Sequence, residues 1–127
     1  MTRSTLTTDA APQPRGPYPH ARVEGDLVWV TGQIGRDPIG GDFVEGGFEV
    51  EFHQAITNLE AILEEVGSSL DRVVRTGVQF VDESDLDAMN LVYGERFADP
   101  FPARSSFGVA FLWKGAKVQI DATARIG

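Results

Sequence analysis

Leu59-Glu60-Ala61-Ile62-Leu63-Glu64-Glu65-Val66-Gly67-Ser68-Ser69-Leu70-Asp71-Arg72-Val73-Val74-Arg75-Thr76-Gly77-Val78-Gln79-Phe80 changes its hydrophobic period halfway along. In its first part Leu59, Ile62, Leu63 and Val66 continue a series begun by Phe52, Ala55 and Ile56. Steps of three and one stack these residues on one side of a helix, so a helix is expected over 48–66, with Gly67 ending it. After Leu70 the period falls to two. Val74, Thr76, Val78 and Phe80 share one face, and Val73, Arg75, Gly77, Gln79 and Val81 the other, which predicts a strand over 70–81.

Working outward, Ala21-Arg22-Val23 and Leu27-Val28-Trp29-Val30-Thr31-Gly32-Gln33 flank the turn Glu24-Gly25-Asp26 and read as a hairpin. Pro38, Gly40, Gly41 and Gly46 make 35–47 a loop. On the other side Ser84 is expected to cap a helix over 85–97 whose Leu86, Met89, Tyr93 and Phe97 face inward, with Asp99-Pro100 ending it. Pro102 cannot continue a helix, and the run from Arg104 to Phe111 alternates as a strand does. Trp113-Lys114-Gly115-Ala116 turns the chain into a last strand over 117–126, with Val118, Ile120, Ala122, Ala124 and Ile126 on one face. Trp113 and Phe111 read as strand packing, with a pocket wall as the alternative for either.

The resulting order, β-β-α-β-α-β-β, predicts a two-layer α+β domain: a mixed sheet with two helices on one face. Its second face would be left uncovered although the strands carry Trp29, Phe107 and Phe111, so closed assembly with other copies is expected there. At 127 residues one domain is expected, over 15–127, preceded by a flexible arm over 1–14. The net charge of -8 opposes the phosphate backbone, so no nucleic-acid partner is expected. Zero cysteines exclude disulfides and thiolate chemistry, and with only His20 and His53 neither a metal nor another cofactor is expected. No signal-like or membrane-spanning run is evident, which makes a cytoplasmic protein the expectation.

Arg104 draws the functional reading. A guanidinium is a planar fork suited to a carboxylate, although an ordinary ion pair would use the same residue.

Several segments carry a resemblance: Arg15-Gly16-Pro17-Tyr18-Pro19-His20-Ala21, Val28-Trp29-Val30-Thr31-Gly32-Gln33-Ile34, Asn58-Leu59-Glu60-Ala61-Ile62-Leu63, Gly67-Ser68-Ser69-Leu70, Met89-Asn90-Leu91-Val92-Tyr93 and Phe101-Pro102-Ala103-Arg104-Ser105. In this order and spacing the chain resembles the Rid, or YjgF, family of reactive intermediate deaminases from about residue 15 to 124. The resemblance implies a chorismate-mutase-like fold, a homotrimer built around a central barrel, and ligand clefts between subunits. It implies that Arg104 binds the carboxylate of a small imine or enamine, with Tyr18, Thr31, Gly32, Asn90 and Ser106 as further ligand contacts. Water would attack the C=N carbon and ammonia would leave.

The chain also departs from the family. The glutamate fifteen residues beyond the arginine is Gln119, and the cysteine two residues beyond it is Ser106. An amide orients water but cannot accept its proton. Asp121 lies roughly 6.6 Å further along the same strand face, and His20, near the implied cleft, is a second auxiliary candidate acid or base. Three readings stay open: a RidA-like hydrolase with diverged activity, a non-catalytic ligand-binding or regulatory trimer, and a pathway-specific deaminase or isomerase using Asp121 or His20. Ribonuclease activity, attributed to some members of the family, ranks last because the chain is acidic.

Overall fold

The computed structural model describes residues 3–127, with side chains from Ser4 onward. Its strands are β1 (Arg3–Leu6), β2 (Ala21–Glu24), β3 (Leu27–Gln33), β4 (Val73–Phe80), β5 (Ala103–Gly108) and β6 (Val118–Arg125), and its helices are α1 (Phe48–Glu65) and α2 (Leu86–Arg96). They form one sheet in the order β1-β2-β3-β6-β4-β5, antiparallel throughout except for the parallel pair β4 and β5. This is the two-layer mixed architecture expected, with one strand added. No helix among the described residues is long and apolar enough to cross a membrane.

The core lies between α1 and the middle of the sheet. Phe52, Ala55, Ile56, Leu59, Ile62 and Leu63 are fully buried, as the helical stripe requires. Burial of each large apolar side chain contributes about 1.5–3 kcal/mol. Facing them are Val28 and Val30 of β3, Val78 of β4, and Val118, Ile120, Ala122 and Ala124 of β6. Gly67, at φ 82, closes α1: its amide bonds Glu64 O and the Ser68 amide bonds Leu63 O, which satisfies two terminal carbonyls.

Several expectations are corrected. The 1–14 segment, expected to be a flexible arm, carries β1, which pairs with β2; Met1 and Thr2 lie outside the described residues. A four-residue edge strand with a single apolar side chain leaves little periodic signal. His20, a candidate auxiliary acid or base in the sequence, is 1% exposed and holds this segment in place. Its Nδ1 accepts from the Thr8 amide at 3.0 Å, and its Nε2 lies 2.7 Å from Pro12 O, an arrangement that puts the ring proton on Nε2.

The strand expected over 70–81 begins with a 3-10 turn at Leu70–Arg72. Its alternation is broken by a bulge, because Val73 pairs with Ala124 but Arg75 with Thr123. Val73 is therefore buried and Val74 exposed, the reverse of the strict alternation. Asp82 rather than Ser84 is the capping side chain before α2, accepting from the Ser84 amide at 2.9 Å at the start of the 3-10 turn Glu83–Asp85. That amide and the Ser84 hydroxyl hold the Asp82 carboxyl below the usual aspartate range. The strand that begins by Arg104 ends at Gly108, so Phe111, 79% exposed, belongs to the following loop and not to the sheet.

His20→Ala is expected to leave the Thr8 amide and the Pro12 carbonyl without partners, at about 1–3 kcal/mol. A lower urea midpoint and faster proteolysis within residues 8–15 would show it; an unchanged midpoint would contradict it.

Candidate functional site

The expected site residues fall into two groups on opposite faces of the sheet. In β4 and β5, Thr76 pairs with Arg104 and Val78 with Ser106. Thr76 and Val78 are buried beneath the helices, so Arg104 and Ser106 stand on the helix side. In β4 and β6, Gln79 pairs with Gln119 and Gly77 with Asp121, between the buried pairs Val78–Ile120 and Thr76–Ala122. Gln119 and Asp121 therefore stand on the open side. Trp29 and Phe107, 42% and 53% exposed, share that side by the same alternation.

On the helix side Arg104 is positioned by α2. Its Nη2 donates to Asn90 Oδ1 at 2.7 Å, and its Cζ lies 4.7 Å from the centre of the Tyr93 ring. Asn90 and Tyr93 are three residues apart on α2 and so share a face. Tyr93 is itself fixed: its ring stacks on Phe97 at 4.4 Å, and its hydroxyl lies 2.8 Å from Thr76 Oγ1. Burial pushes the Tyr93 phenol above the usual tyrosine range, opposed by the Thr76 hydrogen bond and the Arg104 charge. Arg104 is exposed and forms no ion pair among the described residues, so the guanidinium edge not used by Asn90 can receive a carboxylate. Ser106 Oγ, two residues along, is buried without a hydrogen-bond partner among the described residues.

On the open side a bulge shapes the other group. Val30 pairs with Ala122 and Gln33 with Ile120, so Thr31 and Gly32 together oppose Asp121. A Cβ on Gly32 would stand 2.6 Å from Cδ of Gln119, so glycine is what lets this amide lie flat against β3. Gln119 Nε2 then donates to Gln79 Oε1 at 3.0 Å. Asp121, a candidate auxiliary, lies over Gly77 and 3.9 Å from Arg75 Nη1. The Thr31 hydroxyl reaches the carbonyls of Pro19 and His20 at 3.2 and 3.1 Å, tying β3 to the segment that enters β2.

Tyr18, Thr31, Gly32, Gln119 and the buried His20 line a cavity of about 110 Å³. Its remaining wall includes Trp113 and also Arg15 and Arg36, neither of which the sequence reading placed in a site. Trp113, read as strand packing, lies in the 3-10 turn Trp113–Gly115, where the sequence expected the chain to turn. None of the lining residues is acidic. Arg104, Asn90 and Ser106 are not part of this cavity.

Tyr93 and Gln79 also escaped the sequence reading as site residues. The shared helix face with Asn90 was a usable signal for Tyr93. The pairing of Gln79 with Gln119, forty residues away, had none.

A two-layer α+β protein with a small polar cavity against a β-bulge is the class that this geometry defines. The chain belongs to the endoribonuclease L-PSP family, whose model matches residues 8–126; this is the Rid, or YjgF, family that its segments resemble. It is 39% identical over 124 residues to the 2-iminobutanoate/2-iminopropanoate deaminase of Capra hircus, covering 98% of this chain and 90% of that protein. A RutC family protein of Pyrococcus abyssi is also 39% identical over 124 residues, covering 98% of each. The crystal structure of RidA from the Antarctic bacterium Psychrobacter superposes with a TM-score of 0.94 at 38% identity, covering 98% of this chain and 100% of that one.

Tyr93→Phe is expected to cost about 1–3 kcal/mol near neutral pH, because the buried Thr76 hydroxyl loses its partner. Since the folded chain holds the Tyr93 proton more tightly than the unfolded chain does, that group's contribution is complete below the ordinary tyrosine range and is lost as pH rises through the raised value. Urea titrations across alkaline pH should show a decline that the variant lacks; parallel curves would contradict the assignment.

Proposed function

We propose that this protein is a RidA-like hydrolase that deaminates carboxylate-bearing imines or enamines. Its clefts are shared between copies of the chain: one copy contributes Arg104, Asn90 and Ser106, and its neighbour Tyr18, Gly32 and Gln119. The observation that carries this reading is the separation of Arg104 from Gln119 by the thickness of the sheet. One small molecule cannot touch both in the same copy. Exposed Trp29 and Phe107 on the open face favour a closed assembly, for which a homotrimer is the form the family resemblance implies. The names of the curated relatives support imine chemistry.

In this reading the substrate carboxylate docks on the free edge of Arg104, which Asn90 and Tyr93 hold in place. Water adds to the C=N carbon, two protons reach nitrogen, and the C–N bond breaks to give a 2-oxo acid and ammonia. The side-chain carbonyl of Gln119 remains available to orient the water, since its amide nitrogen is the atom that binds Gln79. The cavity has no acidic lining residue, and both ring nitrogens of His20 are committed. The protein's part is thus positioning, while protons exchange with solvent.

A second reading has its own support. With no base beside the water site, the same cleft can serve as a non-catalytic small-acid sensor, and Gln119 is the residue that separates the two. The third, in which Asp121 or His20 acts as the base, gains no support from a carboxylate facing Arg75 and a histidine engaged on both sides.

Arg104→Ala is expected to weaken 2-oxobutanoate binding at least about tenfold. Gly32→Leu should block the other half of the cleft by displacing Gln119. Co-expressing the two variants should restore about a quarter of the binding sites by random pairing of intact halves; no restoration would sink the shared cleft. Gln119→Glu is expected to raise 2-iminopropanoate turnover about 100-fold or more. A variant as slow as the parent, with binding intact, would favour the sensor.

A further inference from the structure

The cavity beside Gln119 carries positive charge that deamination of a short monoacid does not use. Arg36 is 5% exposed. Its Nε donates to Gly41 O at 2.8 Å and its Nη1 to Gln13 O at 3.3 Å, but it forms no ion pair among the described residues. A buried guanidinium held only by carbonyls keeps its full charge. Arg15 reaches the same place from the preceding loop. A Cβ on Gly41, at φ 79, would stand 2.7 Å from Arg36 Nη2 and 3.6 Å from Arg15 Nη2.

Trp113 gathers these groups. The Arg36 and Arg15 guanidinium carbons lie 5.1 and 5.9 Å from its ring centre, and Lys114 Nζ lies at 5.8 Å. Lys114 adopts left-handed backbone, φ 53, in the turn that presents the ring. Three cations thus gather around one aromatic ring in a chain of net charge -8. Burial and the neighbouring Arg15 both hold Arg36 below the usual arginine range, and Tyr18 and Asp42 offset this only in part.

A loop clamp accounts for Arg36 Nε and Nη1, which tie Gly41 to Gln13. It does not account for Arg15, which is exposed and makes neither a hydrogen bond nor an ion pair among the described residues. Like charges held together with no carboxylate in ion-pair range of either among the described residues are an arrangement that a bound oxyanion would relieve, and two guanidinium forks suit carboxylate or phosphate oxygens.

We infer that this end of the cavity is a second anion subsite, where Arg15 and Arg36 over Trp113 receive the distal carboxylate or phosphate of a substrate whose first carboxylate goes to Arg104. The substrate then carries two anionic groups, one at each end (a dianion in that sense, whatever the charge of a phosphate), and is longer than 2-iminobutanoate. The first contact rests on the function proposed above; the distal subsite is a separate property of the cavity wall.

Calorimetry on the full chain with 2-oxobutanoate, 2-oxoglutarate and 3-phosphoglycerate tests it. At least one dianion is expected to bind about tenfold or more tightly than 2-oxobutanoate, equivalent to about 1.4 kcal/mol. Whichever dianion wins identifies the distal group as carboxylate or phosphate. Arg15→Gln, at an exposed position, should bring the dianion-to-monoacid ratio to within about twofold of unity, and Arg15→Glu should invert it. Equal binding of all three probes, no binding of either dianion at millimolar concentration, or a preference that survives Arg15→Gln each overturns the subsite. If Arg104→Ala leaves 2-oxobutanoate binding intact, the proposed function fails instead, and a dianion preference that depends on Arg15 still supports the subsite.

Discussion

Burial of Val118, Ile120, Ala122 and Ala124 against α1 decides on which side of the sheet every other residue must stand. A strand's side chains alternate strictly, so committing these four to the core sends Gln119, Asp121 and Thr123 to the other face. Pairing then carries the choice outward. β4 turns Thr76, Val78 and Phe80 toward the helices, and β5, in parallel register with it, turns Arg104 and Ser106 the same way. A one-residue slip of β6 would place Gln119 in the core and its four small and branched neighbours in water. The separation of Arg104 from Gln119 follows from where the hydrophobic face of one strand lies.

The two groups of candidate residues are built differently. Arg104 is exposed, and its placement comes from a neutral stack: Phe97 under Tyr93, Tyr93 under the guanidinium, with Thr76 and Asn90 fixing the two ends. Gln119 owes its place to what is missing. Gly32 removes a side chain, the bulge at Thr31-Gly32 pulls β3 out of regular pairing, and the amide lies in the space left. Asn58, buried on α1, donates to the carbonyls of Ile34 and Arg36 and so holds the chain leaving β3 where it walls the cavity. Interactions within the core thereby reach a surface cavity through two carbonyl groups.

Legibility in the sequence tracked how local each signal was. The stripe from Phe52 to Leu63 and the Gly67 stop were readable because helix contacts repeat every three or four residues and the whole stripe meets one surface. Alternation in β6 was equally clear. The bulge at Val74 was not, because two valines in succession satisfy either face, and only the partner strand settles which is buried. β1 was missed since its stability comes from pairing with β2 and from the His20 clamp on Thr8 and Pro12, none of which leaves a period. His20 itself carried no sign in the sequence of the backbone amide and carbonyl that lie on either side of its ring.

The sequence by itself determined the layers of this protein, its family, and the chemical identities of Arg104 and Gln119. These depend on residue type, spacing and hydrophobic period, which the chain carries locally. The tertiary structure alone decided that Arg104 and Gln119 lie on opposite faces. It alone brought Arg15, Arg36 and Lys114, scattered over a hundred residues of an acidic chain, to one tryptophan ring. Register and loop packing create such neighbours, and both are set by burial across the whole domain rather than by any one segment.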